Sequence, residues 1–379
     1  MLEKAIQVLS KISFVDLNAQ FESIRGEVTS AVLRTLESQR FILGPEVEAF
    51  EREMEAWNGS AHAIACASGS DAVLLALMGL GIGPGDEVIT TPFTFVATVT
   101  AIVRLGAKPV FVDIDPATFN LDPAKLEPAI TDKTRAIIPV HLFGLSADLD
   151  PICALAQSRG VEVIEDAAQA IGAKYKGRLV GNVGSIGCFS FFPAKNLGCG
   201  GDGGLITTSD PKLADKLRVL ATHGSRTRYS YETIGINSRL DAIQAAILRV
   251  KLPHLGRWTE GRRRNAELYR KLLTEAGVAE RIALPLEPAY GYHVYNQFTI
   301  RFKERDKLRA HLLSRGVPTE IYYPHPLHLQ PAFAYLGCGA SAFPEAIRAS
   351  QEVLSLPIYP ELPVSHLEEI VQALTKYFG

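Results

Sequence analysis

Cysteine is scarce and unpatterned in this chain. There are five, an odd number, at positions 66, 153, 188, 199 and 338, with no paired C-x-x-C spacing. That excludes a disulfide framework and a cysteine-based zinc site, and it fits reduced thiols in a cytoplasm. Long apolar runs are also missing. None approaches the ~20 residues that a membrane-spanning helix requires. Charge of one sign is not in excess either: 39 basic and 41 acidic residues leave a formal net charge of −2. Nothing in that balance demands nucleic acid or an anionic membrane as partner. The opening stretch, residues 1–21, carries acidic and amide side chains among its apolar ones and lacks the apolar core of a secretion signal. Tandem repeats and low-complexity segments are absent, and no metal is expected.

What is present is an ordinary globular composition, 47% hydrophobic and 21% charged over 379 residues. That length accommodates one large domain and a smaller one. Between residues 63 and 208, short apolar runs alternate with helical patterns. Strands are expected at 63–68, 86–91, 108–114, 136–143, 161–166, 187–192 and 204–208. Helices are expected at 70–80, 95–106 and 148–160. Apolar strands separated by helices predict an α/β fold, a mainly parallel seven-stranded sheet covered on both faces. A long polar helical stretch follows at 241–273. The remainder mixes strand (295–302) and helix (305–316 and 366–378), the pattern of a small α+β unit. The expected division is 1–255, with the N-terminal segment, and 256–379.

In sheets of this kind ligands bind at the carboxyl ends of the strands, so chemistry is sought there. After the first strand comes CASGSDAV, where Gly69 and Ser70 stand at a strand–helix junction. Free amides and the helix dipole favour a phosphate at such a place. The alternative is a plain turn capped by Ser70 or Asp71. In VIEDAAQA, Asp166 ends an apolar strand, where a carboxylate is costly without a partner. A protonated pyridine nitrogen is one such partner, a helix cap the other reading. Gln169 could reach a ring oxygen or be a surface amide. In SFFPAKNLGCGGDGG, Lys195 lies beyond a strand among small residues. A lysine in a desolvated cleft loses pKa and becomes an amine nucleophile, whereas a surface lysine does not. Gly198, Gly200 and Gly203 match G-x-G-x-x-G by spacing, but a strand pattern follows where a dinucleotide motif needs a helix. They are read as a permissive loop.

Taken in this order, the three stretches resemble the fold-type I enzymes that use pyridoxal 5′-phosphate (PLP). Within them the chain is similar to the DegT/DnrJ/EryC1/StrS family of nucleotide-sugar aminotransferases. Further segments carry the likeness almost end to end: FILGPEVEAFE (41–51), GPGDEVITTPFTFVAT (83–98), GINSRLDAIQAAIL (235–248) and YYPHPLHLQPAF (322–333). The resemblance implies that Lys195 holds PLP as a Schiff base and then moves protons. It implies that Asp166 pairs with the pyridine nitrogen, Gln169 contacts the ring oxygen and Phe95 stacks on the ring. Gly69, Ser70 and Ser190 would hold the phosphate. Asn237 would reach the phosphate in a neighbouring subunit, which makes the protein a homodimer. Arg239, Tyr322, Tyr323 and His328 are implied substrate contacts; a structural salt bridge is the other reading of Arg239, and packing that of His328.

The resemblance further implies L-glutamate as donor, 2-oxoglutarate as product and a keto sugar on a nucleotide as acceptor, in amino-sugar biosynthesis of the lipopolysaccharide O-antigen kind. The version of the motifs fits amination at C3. Two departures stand out: Tyr322-Tyr323-Pro324 replaces a common His-Tyr-Pro, and Phe192 stands where many dTDP-sugar members have tyrosine. The second favours UDP-2-acetamido-2-deoxy-3-oxo-glucuronate over a dTDP-3-keto-6-deoxyhexose, with Arg239 facing the carboxylate. A sugar dehydratase of the same fold would have histidine in place of Lys195. A non-enzymatic regulator would be supported by an appended DNA-binding module, and none is found.

Overall fold

The computed structural model describes residues 12–379. Residues 1–11, on which half of the expectation about the opening stretch rests, lie outside the described residues. The chain first lays down α1 (Leu17–Ser38) and α2 (Pro45–Asn58). The central sheet then follows: β1 (His62–Cys66), β2 (Glu87–Thr90), β3 (Lys108–Phe111), β4 (Thr134–Ile137), β5 (Glu162–Asp166), β6 (Ile186–Ser190) and β7 (Gly204–Thr208). All seven expected strands are present, four to five residues each. The runs read as longer strands bend away early, because the chain leaves the sheet to build loops at the carboxyl ends.

Strand order is β1-β7-β6-β5-β4-β2-β3. Neighbours from β6 to β3 pair in parallel, whereas β7 is antiparallel to both β1 and β6. Two antiparallel steps return β1 to the direction of β6. The register then decides where the site can be. Gly204 pairs with Cys66 on one side and Ser190 on the other, and Cys188 pairs with Asp166. The carboxyl ends of β1, β6 and β5 therefore lie side by side.

Helices cover both faces. α3 (Gly69–Leu80) buries seven residues, since it is apolar nearly all round and sits inside the core. α4 (Val96–Arg104), α5 (Leu149–Arg159) and α6 (Pro211–Ala221) complete the layers. Ile64, Leu75, Ile164, Ile186 and Leu217 belong to one continuous cluster between sheet and helices.

The stretch expected as one helix at 241–273 is two. α7 (Ala242–Lys251) and α8 (Leu255–Glu275) flank a 3₁₀ turn at Leu252–His254. Pro253 has no amide to donate, so the regular ladder breaks there. Beyond it, β8 (Phe298–Arg301) pairs antiparallel with β9 (Val353–Leu356) under α9 (Arg305–Ser314) and α11 (Val364–Phe378). β9 and the helix before it, α10 (Pro344–Glu352), are additions to the expected elements. Tyr269, Phe298, Leu308, Leu354 and Leu367 form a second core, which Ile12 joins. Ile12 thus packs on the part expected to begin at 256.

The five thiols are free, three of them buried. Among the described residues no helix is long and apolar enough to cross a membrane, and no group of metal-ligating side chains is assembled. Ile164 is fully buried in the middle of the sheet. Ile164→Ala should cost about 2–5 kcal/mol through lost transfer energy and the cavity left behind. The expected result is a lower urea midpoint with an unchanged slope.

Candidate active site

The turn from β1 to α3 is built to leave two amides open. Ser68, not Ser70 or Asp71, is the N-cap. Its hydroxyl accepts the Asp71 amide at 3.1 Å, and its carbonyl accepts the Ala72 amide at 2.9 Å. The amides of Gly69 and Ser70 then have no partner inside the helix, and the positive end of the helix dipole lies there. Gly69 has to be glycine. A Cβ on it would stand 2.6 Å from Cβ of Ser190, at the end of β6. Without that atom the backbone at Gly69 lies close against Ser190, and Gly69, Ser70 and Ser190 line one cavity. Two amides and a hydroxyl brought together in this way form a cradle suited to an anion. Ser238 joins the segment 237–239 to this cradle: its hydroxyl donates to Asp71 at 2.8 Å and accepts the Ala67 amide at 3.1 Å.

Asp166 ends β5 beside the cradle and is 6% exposed. One carboxylate oxygen accepts the Thr98 hydroxyl at 2.8 Å, the other the Ala168 amide at 3.2 Å. Thr98 sits one turn into α4 and touches Thr94 at 3.1 Å. The helix-cap reading of Asp166 does not hold, because turns rather than a helix follow β5. Gln169 is no surface amide. Its Oε1 accepts the Phe143 amide at 2.7 Å, and its Nε2 donates to the Tyr323 hydroxyl at 3.1 Å. Burial pushes the Tyr323 phenol above its ordinary pKa, so it stays protonated.

Lys195 follows β6 in a loop. Burial lowers its amine to about 8, while Asp166 pulls in the opposite direction. Desolvation outweighs the carboxylate here, the environment of an amine available as a nucleophile near neutral pH. The next residue, Asn196, donates to the Val294 carbonyl and accepts from Asn296, both at 3.0 Å. This anchors the lysine loop to the C-terminal part of the chain.

These groups face one cavity of about 490 Å³, within the ~300–1,000 Å³ usual for small-molecule sites. Gly69, Ser70, Phe95, Asp166, Gln169, Ser190, Lys195, Tyr322 and Tyr323 all line it. Phe95 is 55% exposed at its mouth, its ring 6.2 Å from that of Tyr323. Three expected residues do not line it. Asn237 is exposed beyond the cradle. Arg239 is half-buried nearby, and no salt bridge holds its guanidinium among the described residues. His328 is buried in a 3₁₀ turn, edge-on to Phe343 at 5.0 Å.

Sequence reasoning missed Thr94, Thr98, Asp202, Asn296 and Gln297, which also line the cavity. Thr98 had a signal, a threonine one turn after Phe95 in the same motif. Asn296 and Gln297 had none, since they enter from a segment a hundred residues away.

The model of the DegT/DnrJ/EryC1/StrS aminotransferase family matches residues 22–375. The chain belongs to this family. Several family members are similar over almost their full length. A Geobacillus stearothermophilus protein named a pleiotropic regulatory protein is 51% identical over 97% of this chain and 98% of its own. The UDP-N-acetyl-3-dehydro-α-D-glucosamine 3-aminotransferase of Acidithiobacillus ferrooxidans is 47% identical over 96% and 97%. The UDP-2-acetamido-2-deoxy-3-oxo-D-glucuronate aminotransferase of Pseudomonas aeruginosa is 45% identical over 96% and 99%. Among solved structures, S. venezuelae DesV in complex with a ketimine intermediate superposes with a TM-score of 0.94, at 45% identity over 97% of this chain and 98% of that one. Bacillus subtilis NtdA with the bound cofactor PMP gives 0.89, at 32% identity over 97% and 85%.

The lowered amine makes a pH prediction. A group with a depressed cationic pKa is neutral, and therefore reactive, from about pH 8 upward, whereas an ordinary lysine needs about pH 10.4. Pulsed acylation of the protein free of cofactor, read by peptide mass spectrometry, should show Lys195 modified with a midpoint near 8. Asp166→Asn removes the group that raises this pKa, so the midpoint should move lower.

Proposed function

We propose that this chain transfers the amino group of L-glutamate to C3 of a keto sugar carried on a nucleotide, with PLP as cofactor. The observation that carries the reading is that Lys195, Asp166 and the Gly69–Ser70 cradle open into one cavity. The cavity suits PLP on its own chemistry. The space beside Gly69 admits a hydroxyl and two open amides for a phosphate. The buried Asp166 suits a protonated ring nitrogen, and the neutral side-chain amide of Gln169 suits a ring oxygen. Bound there, PLP supplies an aldehyde carbon that exchanges amines and an electron-poor ring that takes up electrons.

The protein's own part is positioning and proton transfer. Asp166 would be the partner of the ring nitrogen, and the Thr98 hydroxyl fixes which way that carboxylate faces. Phe95 covers the open side of the cavity. Lys195 Nζ, poised near neutrality, carries the proton from the donor's Cα and returns one to the acceptor. The two half-reactions share one site, so the kinetics are ping-pong and 2-oxoglutarate leaves first.

The favoured acceptor is UDP-2-acetamido-2-deoxy-3-oxo-glucuronate; a dTDP-3-keto-6-deoxyhexose is the alternative. Phe192 at the cavity mouth and the Pseudomonas relative's activity support the first. Lys195 is the one cation lining the cavity among the described residues, so a uronate carboxylate would be met by Arg239 from a second subunit. We take the protein to be a cytoplasmic homodimer of this kind, in which Asn237 also reaches the partner's cradle and Tyr322 and Tyr323 meet the sugar. We also place a domain division near residue 255, supported by the two separate cores. A regulatory role has the Geobacillus relative's name in its favour; the complete cavity favours an enzyme.

The test is a near-visible absorbance band in the PLP-loaded protein that bleaches on addition of L-glutamate, followed by a coupled assay over UDP- and dTDP-linked keto sugars. A protein that stays colourless with PLP would sink the reading. Lys195→Ala should lose at least about 10²–10⁴-fold in turnover, the share of a positioned acid–base group, while still retaining some PLP.

A further inference from the structure

Directly behind Asp166 is a group the proposed chemistry does not touch. Consecutive strand residues point to opposite faces, so Glu165 turns away from the cavity that Asp166 enters. Glu165 and His141 are both fully buried. One oxygen of Glu165 accepts the amides of Val183 and Gly184, each at 2.7 Å. The other accepts the Gly181 amide at 2.7 Å and faces Nε2 of His141 at 2.9 Å. Nδ1 of His141 accepts the Ala147 amide at 3.1 Å, so the ring proton is on Nε2 and is donated to Glu165. Four donors thus surround one buried carboxylate. Burial alone would raise it, but His141 and the amides outweigh that and hold it below the usual range.

The histidine's connections lead straight to the site. Its backbone amide donates to the Asp166 carbonyl at 2.9 Å, and the Asp166 amide donates to Pro139 at 3.0 Å. The turn it opens, 141–144, places the Phe143 amide on Gln169. Phe143 has φ of 61° there, a conformation that a bulky residue keeps only where its surroundings enforce it. Gly144 closes the turn, with a missing Cβ that would stand 2.9 Å from Val294.

We propose that His141 and Glu165 are positioning residues, a buried pair that aims Asp166 and Gln169 at the cofactor from the far side of the sheet. The pair links the carboxyl-end segment of β4, the end of β5 and the lead-in to β6, so that both cofactor contacts share one anchor. Glu165→Gln is nearly isosteric but puts an NH₂ where one carboxylate oxygen stands, so both donors of that oxygen, Gly181 with His141 or Val183 with Gly184, lose their acceptor. This inference rests on the proposed PLP site.

The experiment compares wild type, His141→Phe, His141→Gln and Glu165→Gln as PLP-loaded protein. Measured are the PLP dissociation constant, the pH midpoint of the bound-PLP visible band, kcat against KM for L-glutamate, and the melting temperature. His141→Phe and Glu165→Gln should shift the band and its midpoint and lower kcat by about 10²-fold, the loss expected from a small misplacement, with KM changed far less. His141→Gln, which can still donate to Glu165, should recover most of the loss. Variants that melt earlier yet keep the wild-type band, PLP affinity and kcat would overturn the proposal. Should the variants not fold, hydrogen exchange on the wild type decides. Loading PLP should slow exchange in peptides spanning 141–147 and 181–184, and no change in either would refute the pair's role. A wild type that takes up no PLP would overturn the underlying reading, and this one with it.

Discussion

Two adjacent carboxylates end one buried strand, and the site is arranged around satisfying them. Glu165 and Asp166 leave β5 on opposite faces, both almost without solvent. An ionised carboxylate in such a place is unfavourable unless hydrogen bonds or charge surround it. For Glu165 the protein supplies all the donors itself, and the result is a rigid junction between three strands. For Asp166 the donors among the described residues are Thr98 and the Ala168 amide. The remaining capacity of that carboxylate is directed into the cavity, toward Lys195 and whatever cation occupies the space between them.

The sheet topology turns this into a site. One antiparallel strand, β7, would be an irregularity in a wound sheet, yet its two reversals bring β1 into line with β6 and β5. That places an open helix start, a serine hydroxyl and a carboxylate on neighbouring strand ends. The lysine loop is then held by side-chain amides of Asn196 and Asn296 rather than by regular structure. Such a loop can carry a reactive amine without exposing it, because buried amides satisfy its polar groups while the amine itself stays desolvated.

Much of the fold was legible in the amino-acid pattern. The seven strands appear as apolar runs because a parallel sheet covered on both faces must be apolar throughout. Strand ends were less legible, as at 136–143, where the apolar character continues into a buried turn. The helix break at Pro253 is masked by a surrounding pattern that remains helical on both sides. In the site, Lys195, Asp166, Gln169 and Gly69 were marked by their residue types near strand ends, whereas Ser190 came only from the family resemblance. Thr98 had only its place one turn after Phe95 as a signal, since a threonine in a helix looks like any other until its partner is known. His328 kept two readings because a buried histidine and a pocket histidine look alike in sequence.

The sequence by itself determined the sheet, the family and the residue types of the chemistry, since these follow from local periodicity and from motifs read within short windows. Only the tertiary structure decided that Ser68 rather than Ser70 caps the helix, that Phe143 holds Gln169, that Asn296 reaches the lysine loop and that His141 stands behind Asp166. Each of these is a hydrogen bond whose direction depends on backbone register and cap geometry. Such geometry is set by the packing of the whole chain, and no short window contains it.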